Sequence, residues 1–245
     1  MALNVVRQLV VANRILANEQ VVDAYGHVSV RNPEAPERFF LAHSKAPELV
    51  GPDDILEFDL RANPVREERR PLYLERFIHA AIYEARPEVI AVVHAHAEDV
   101  LPFGIAPAPL RPVIHSGAFI GEHVPVWDIA ERFGDRTNLL VTNMDQGRDL
   151  ARALGGNNVA LMRGHGFAAA ARSLIDVVRI SVYLPRNARV QYKAMQLGEL
   201  KPLSRGEIQA RAAGTGYQPG SPETQRAWQY WAHRAGCASL LDDVS

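Results

Sequence analysis

Two histidines separated by one small residue, His94 and His96, close the apolar run Val89-Ile90-Ala91-Val92-Val93. The run has strand length and β-branched composition. In a strand, residues i and i+2 point to the same face. The spacing therefore presents two imidazoles side by side at a buried strand end, a two-point grip for a divalent metal. A catalytic metal site needs a third ligand and an open position. His165, in Arg163-Gly164-His165-Gly166-Phe167, is the candidate third ligand, because flanking glycines let backbone come close to a crowded centre. The alternative is ordinary placement: a histidine beside apolar sequence is commonly a hydrogen-bonded core or surface residue. Three imidazoles would accept Zn, Mn, Fe or Co, so the spacing predicts one divalent ion without naming it.

These residues need elements to position them. Residues 3–18 read as an amphipathic helix, with Leu3, Val6, Val10 and Ala17 apolar and Arg7, Asn13 and Arg14 polar. Gly26 breaks that pattern and a strand alternates after it. Phe39–Ala42 is a second strand. From Asp54 to Leu60, Leu56, Phe58 and Leu60 share one face while Glu57 and Asp59 share the other. Arg61–Arg70 reads as a solvated loop. Residues 75–86 form a helix ended by Pro87. Glu75 stands in its first turn, where the helix dipole favours a carboxylate. Four prolines mark 102–112 as irregular, leading to His115-Ser116-Gly117. Val124–Val126 is a short strand whose Pro125 predicts an edge. Gln146–Leu154 is a helix, Val159–Met162 and Phe167–Ala171 are a hairpin around His165, and Leu174–Leu197 is a long helix interrupted by Pro185. The tail beyond Glu199 holds Gly214, Gly216 and Gly220, then a final helix with Trp228 and Trp231, packed on the body or on a neighbouring subunit.

The chain as a whole excludes some functions. Its 245 residues fit one large domain or two small ones, and an apolar fraction of 47% supports a core. A net charge of −1 makes no electrostatic case for nucleic acid. The lone cysteine, Cys237, forbids an internal disulfide and suits a reducing cytoplasm. No apolar run is long enough to span a membrane, and Met1–Asn18 does not read as a signal peptide.

Taken in order, Gly26-His27-Val28-Ser29, the turn containing Ser44, the helix opening at Glu75, Val92-Val93-His94-Ala95-His96 and Gly164-His165-Gly166 resemble the class II aldolase/adducin family over about residues 3–198. The resemblance implies an α/β fold, an α/β/α sandwich around a central, mainly antiparallel sheet. It implies a catalytic domain over 1–198 with a helical extension over 199–245. It further implies a homotetramer with active sites between subunits, a metal on His94, His96 and His165, and Glu75 beside it as acid/base.

The departures bear on function. The family's sugar-phosphate aldolases have Gly-Asn where this chain has Gly26-His27, Ser-Gly where it has Ser44-Lys45, and Ser-Ser where it has Tyr73-Leu74. Phosphate favours backbone N–H groups, hydroxyls and little bulk. Imidazole, ammonium and phenol suit a flat carboxylate better. His27, Ser44, Lys45 and Tyr73 are thus the predicted substrate-binding residues, with Glu75 and His115 catalytic. The pattern is similar to the family's decarboxylase branch and predicts a divalent-metal-dependent, non-oxidative decarboxylase of a hydroxylated aromatic or heteroaromatic (di)carboxylate or related ring-cleavage acid. Three other readings stand beside it: an aldolase or epimerase on a small hydroxy-carbonyl compound, an iron-dependent redox enzyme, and a non-catalytic adducin-like module. The complete histidine set argues against the last. Surface placement is the plain alternative for Lys45 and His115.

Overall fold

A computed structural model of the chain describes residues 2–213 and 220–242, without the side chains of residues 2, 3 and 242. The expected glycines 214 and 216, and the side chain of Leu3, lie outside the described residues. Seven strands form one sheet: β1 (His27–Arg31), β2 (Arg38–Ala42), β3 (Ile55–Asp59), β4 (Ala91–Ala95), β5 (Val126–Trp127), β6 (Val159–Met162) and β7 (Gly166–Ala171). Their order is β3-β2-β1-β4-β7-β6-β5. All neighbours are antiparallel except β5 and β6, which are parallel.

Alternation in the strands splits the core into two layers. Ala91, Val93 and Ala95 of β4 join a cluster with Leu9, Ile15, Val177 and Leu184. Those four come from α1 (Ala2–Asn18) and α6 (Leu174–Leu197). Val92 faces the opposite cluster, with Ile78, Ala81, Leu150 and Leu154, from α2 (Arg76–Ala85) and α5 (Met144–Leu154). The sandwich expected from the sequence is present. Strand β7 reads Gly-Phe-Ala-Ala-Ala-Ala, and its small side chains let both helical layers approach the sheet centre.

Several boundaries differ from the sequence expectation. Asp54 belongs to a 3-10 turn ahead of β3 rather than to the strand. β5 is the expected edge strand, moved to Val126–Trp127. Helix α5 starts two residues early, because the Asn143 side chain accepts the Gln146 N–H and caps it. The proline-rich stretch contains α3 (Leu101–Ile105), where Pro102 sits in the first turn and its missing N–H costs nothing. Asp128 caps an unforeseen short helix, α4 (Ile129–Phe133). Helix α6 runs through Pro185 without interruption, since packing on both sides outweighs one lost backbone hydrogen bond. Among its described residues the tail holds three helices where one was expected: α7 (Arg205–Ala213), α8 (Pro222–Arg234) and α9 (Ser239–Asp242). Trp228 and Trp231 are buried in the α1/α6 layer of their own chain. No described helix is long and apolar enough to cross a membrane.

The β6–β7 hairpin has a three-residue loop, Arg163-Gly164-His165. Gly164 has φ +64°, the left-handed conformation that favours glycine. At Gly166 the reason for glycine is space: a Cβ would lie 2.2 Å from the Ala95 carbonyl oxygen and 3.0 Å from the His96 ring. Gly166→Ala is therefore expected to lower stability by about 2 kcal/mol or more and to displace His96. Urea unfolding measures the first effect; an unchanged midpoint would show that the backbone yields.

Candidate active site

The three predicted histidines converge. His94 lies on the α2/α5 face of β4, fully buried, with His27 beside it on β1 and Ala168 beside it on β7. His96 follows the strand end, and the hairpin loop brings in His165. Ring centroids are 4.7 Å (94–96), 4.9 Å (94–165) and 5.0 Å (96–165) apart. The His94 Nδ1 lies 3.0 Å from the Phe167 carbonyl oxygen, and the His165 Nδ1 lies 2.9 Å from that of Leu139. A carbonyl can only accept, so both Nδ1 atoms carry the proton. Both Nε2 atoms then turn a bare lone pair toward the centre, the arrangement of metal-ligating histidines. The His96 Nε2 faces the His94 Nε2 at 2.9 Å.

Glu75 completes the cluster. It occupies the N-cap position of α2, and its side chain makes no cap hydrogen bond. The helix-dipole role is not what directs it. One carboxylate oxygen accepts the Val141 N–H at 3.0 Å. The other lies 3.3 Å from the His94 Nε2 and 3.4 Å from the His165 Nε2. Burial works to raise its pKa, but the charge and N–H donation that the His94 and His165 imidazoles supply when protonated outweigh it and hold the carboxyl well below the usual range. Burial and the other two imidazoles bring His96 down to about 4. The four donor atoms lie within 4.8 Å of one another. Metal–nitrogen bonds of about 2.0–2.1 Å separate neighbouring donors by roughly 2.9 Å at octahedral angles and 3.3 Å at tetrahedral ones. The His94–His96, Glu75–His94 and Glu75–His165 separations, 2.9, 3.3 and 3.4 Å, lie within or about 0.1 Å beyond that span, and bare lone pairs facing each other repel unless a proton or a cation stands between them. The donor set fits a divalent metal.

The segment 139–141 was not anticipated. The Leu139 carbonyl orients His165 and the Val141 N–H orients Glu75. Leu139 has φ +66°, which non-glycine residues rarely adopt. Backbone atoms do this work, so no residue type signals it.

A second unanticipated group is His79, fully buried on α2. Its Nε2 lies 2.6 Å from the His27 Nδ1, and its Nδ1 lies 2.6 Å from the Ser29 Oγ. Ser29 in turn lies 2.8 Å from the Tyr83 hydroxyl. A signal existed. Glu75, His79 and Tyr83 recur every four residues along one helix face, and His27, Ser29 and Arg31 every two along one strand face. Four helical residues advance about 6.0 Å and two strand residues about 6.6 Å. The two polar rows mesh, ending with the Arg31 guanidinium 4.7 Å over the Tyr83 ring.

Of the predicted substrate-binding residues, His27 packs 4.6 Å from the Tyr73 ring and 5.2 Å from that of His94. The Tyr73 hydroxyl donates to the Lys45 carbonyl, and burial pushes its pKa up to about 12. The Lys45 ammonium is paired with Asp54 at 2.7 Å. Ser44 is exposed, its backbone N–H given to Pro71. His115 stands apart: it opens a 3-10 turn, exposed, on a surface cavity shared with Tyr183 and Trp231. The cluster opens through His96 onto a cavity of about 830 Å³ that Asp23, Asp99, Arg186 and Arg189 also line.

The class II aldolase and adducin N-terminal domain matches residues 7–192, and the chain belongs to that family. It is a lyase. It is 40% identical to the decarboxylase tropJ of Talaromyces stipitatus, covering 98% of this chain and 97% of the relative. It is 28% identical to the 3,4-dihydroxyphthalate decarboxylase of Arthrobacter keyseri, over 94% and 93%. Among solved structures it is similar to the L-fuculose 1-phosphate aldolase of Glaciozyma antarctica, at 26% identity and a TM-score of 0.76, covering 95% and 90%.

Asp54, the partner of Lys45, yields a pH test. Burial alone would raise its carboxyl, but the Lys45 ammonium, the Gly51 N–H and His43 hold it at about 2, against an ordinary 3.8. A depressed value stabilises the fold above the ordinary pKa and is lost as pH falls through about 2. Asp54→Asn is expected to remove about 1 kcal/mol near neutrality, after allowance for solvent screening, and to flatten the stability profile between pH 4 and 2 as given by those two values. Denaturant titrations at several pH values measure it; parallel profiles would remove Asp54 from that role.

Proposed function

We propose that the chain is a divalent-metal-dependent, non-oxidative decarboxylase of a hydroxylated aromatic or heteroaromatic carboxylate. The carrying observation is the converged donor set of His94, His96, His165 and Glu75, bordered by His27 in place of an amide and Tyr73 in place of a small hydroxyl. Support comes from two curated relatives named as decarboxylases, matched along nearly the whole chain.

The electron pair that CO₂ would leave on an aromatic carbon lies in the ring plane, out of reach of an ortho oxygen. The ring carbon is therefore protonated first, as the ortho hydroxyl becomes a carbonyl, and loss of CO₂ from the resulting sp³ carbon returns the C–C pair to that oxygen as an enolate or phenolate. When bound by His94, His96 and His165, a divalent ion supplies a Lewis acid that stabilises this oxygen and orients the ring. Glu75 moves the proton. Held ionised, its carboxylate accepts the hydroxyl proton and delivers it to the ring carbon that bears the carboxylate; after CO₂ leaves, the phenolate takes a proton from solvent. The net change is RCOO⁻ + H⁺ → RH + CO₂. His27 and Tyr73 line the ring's place, and Lys45, which uses one of its three donors on Asp54, receives a second carboxylate. His115 lies outside this group within one chain. We place its contribution in a neighbouring subunit's site, within a cytoplasmic homotetramer.

Glu75→Gln is expected to lower turnover roughly 100-fold or more with bound metal retained. Wild-type turnover in the Gln variant would confine Glu75 to orienting the histidines. The function itself is tested by CO₂ release across ortho-hydroxy aromatic mono- and dicarboxylates, with a sugar phosphate alongside. Lys45→Met is expected to raise KM for a dicarboxylate far more than for its monocarboxylate. Equal losses on both acids would remove Lys45 from that role. Cleavage of the sugar phosphate with no CO₂ from any acid would establish the aldolase reading instead.

A further inference from the structure

The buried row behind His27 has a direction, and that direction decides what His27 presents to the site. Tyr83 begins it. Its hydroxyl has two acceptors within reach: the Ser29 Oγ at 2.8 Å and the Ile90 carbonyl at 3.4 Å. The second distance is long for an O–H···O bond. The Ile90 carbonyl also already accepts the Arg31 backbone N–H at 2.7 Å. The Tyr83 proton therefore goes to Ser29. Ser29 has one proton, and with its oxygen accepting from Tyr83 that proton goes to the His79 Nδ1 at 2.6 Å. A neutral imidazole that accepts at Nδ1 carries its proton at Nε2. The His79 Nε2 then donates to the His27 Nδ1 at 2.6 Å. His27, accepting at Nδ1, carries its own proton at Nε2.

Both rings are nearly or fully enclosed, at 4% and 0% exposure, and neither has a carboxylate in hydrogen-bond range among the described residues. Such surroundings keep imidazoles neutral. The whole row is then satisfied by one set of proton positions, with each O–H or N–H aimed at a lone pair.

We propose that Tyr83, Ser29 and His79 are positioning residues that lock His27 in its Nε2–H tautomer, making it a neutral hydrogen-bond donor to an anionic substrate oxygen between Tyr73 and the metal cluster. His27 is thus neither a base nor an inward-facing metal ligand. The assignment of the accepted oxygen to a carboxylate rests on the decarboxylase reading; the tautomer does not. The feature separates this site from one with an asparagine at position 27, whose amide can turn to donate or accept. An imidazole fixed from behind offers a donor only, which favours a ligand with a negative oxygen.

The test is long-range ¹H–¹⁵N correlation on zinc-loaded, histidine-labelled protein, with His27 and His79 signals identified through His27→Asn and His79→Asn. The expected spectrum shows both rings neutral, protonated at Nε2 and bare at Nδ1. A His27 ring protonated at Nδ1, or at both nitrogens, would overturn the proposal without touching the decarboxylase reading. Tyr83→Phe removes the donor at the head of the row and frees the Ser29 oxygen to accept from the His79 Nδ1, so the His27 ring is expected to lose its single tautomer, with Nδ1–H appearing beside Nε2–H. A His27 ring that stays wholly Nε2–H in that variant would overturn the part given to Tyr83. With a carboxylate shown to release CO₂, Ser29→Ala is expected to raise KM about tenfold or more with little change in kcat, and Ser29→Thr to restore it. A fall in kcat at constant KM would remove the substrate-donor role. Absence of CO₂ release with the tautomer in place would instead defeat the decarboxylase reading alone.

Discussion

Everything in this structure that bears on chemistry depends on one electrostatic constraint: lone pairs aimed at a common point. His94 and His165 are each tied by Nδ1–H to a backbone carbonyl, so their Nε2 lone pairs face inward. The His96 Nε2 and a Glu75 oxygen join them. Without positive charge between them, such atoms repel. The fold holds them there with packed elements and the loop between two of them. The sheet centre carries His94, a three-residue hairpin loop carries His165, and the N-terminus of a packed helix carries Glu75. Gly166 has no Cβ because a strand carbonyl stands where one would go.

Around this centre lies a graded shell. Nearest are His27 and Tyr73, whose rings enclose one side. Behind them runs the hydrogen-bonded row to Tyr83, and beyond Tyr73 the Lys45–Asp54 pair. The helix row and the strand row advance by nearly equal steps, so His79 and Tyr83 of α2 meet His27, Ser29 and Arg31 of β1. Burying so many polar side chains is costly unless each has a partner. Meshed spacing provides those partners and leaves the outermost members, His27 and Glu75, beside the centre.

Much of this was legible in the sequence, for identifiable reasons. The His94/His96 pair follows from strand periodicity, and the reach of His165 from its flanking glycines. The two faces of the sheet follow from alternation in β3 and β4. His79 was passed over because it sits among Phe77, Ile78, Ala81 and Ile82, where the apolar period dominates and a four-residue polar step from Glu75 is easy to miss. The supports from Leu139 and Val141 were not legible at all, since a carbonyl and an N–H belong to every residue. The pairing of Lys45 with Asp54 depends on how a 3-10 turn folds back ahead of β3. His115 fits the metal chemistry by residue type, yet the fold sets it on another surface of the same chain.

In the proposed reading His94, His96 and His165 hold a cation, with Glu75 beside it. The most direct measurement is anomalous diffraction from crystals of the metal-loaded protein, collected on both sides of the ion's absorption edge. The account predicts one strong peak, about 2.0–2.2 Å from the Nε2 atoms of His94, His96 and His165, with the Glu75 carboxylate beside it. A peak elsewhere, or no peak with the three imidazoles hydrogen-bonded to one another through added protons, would contradict it.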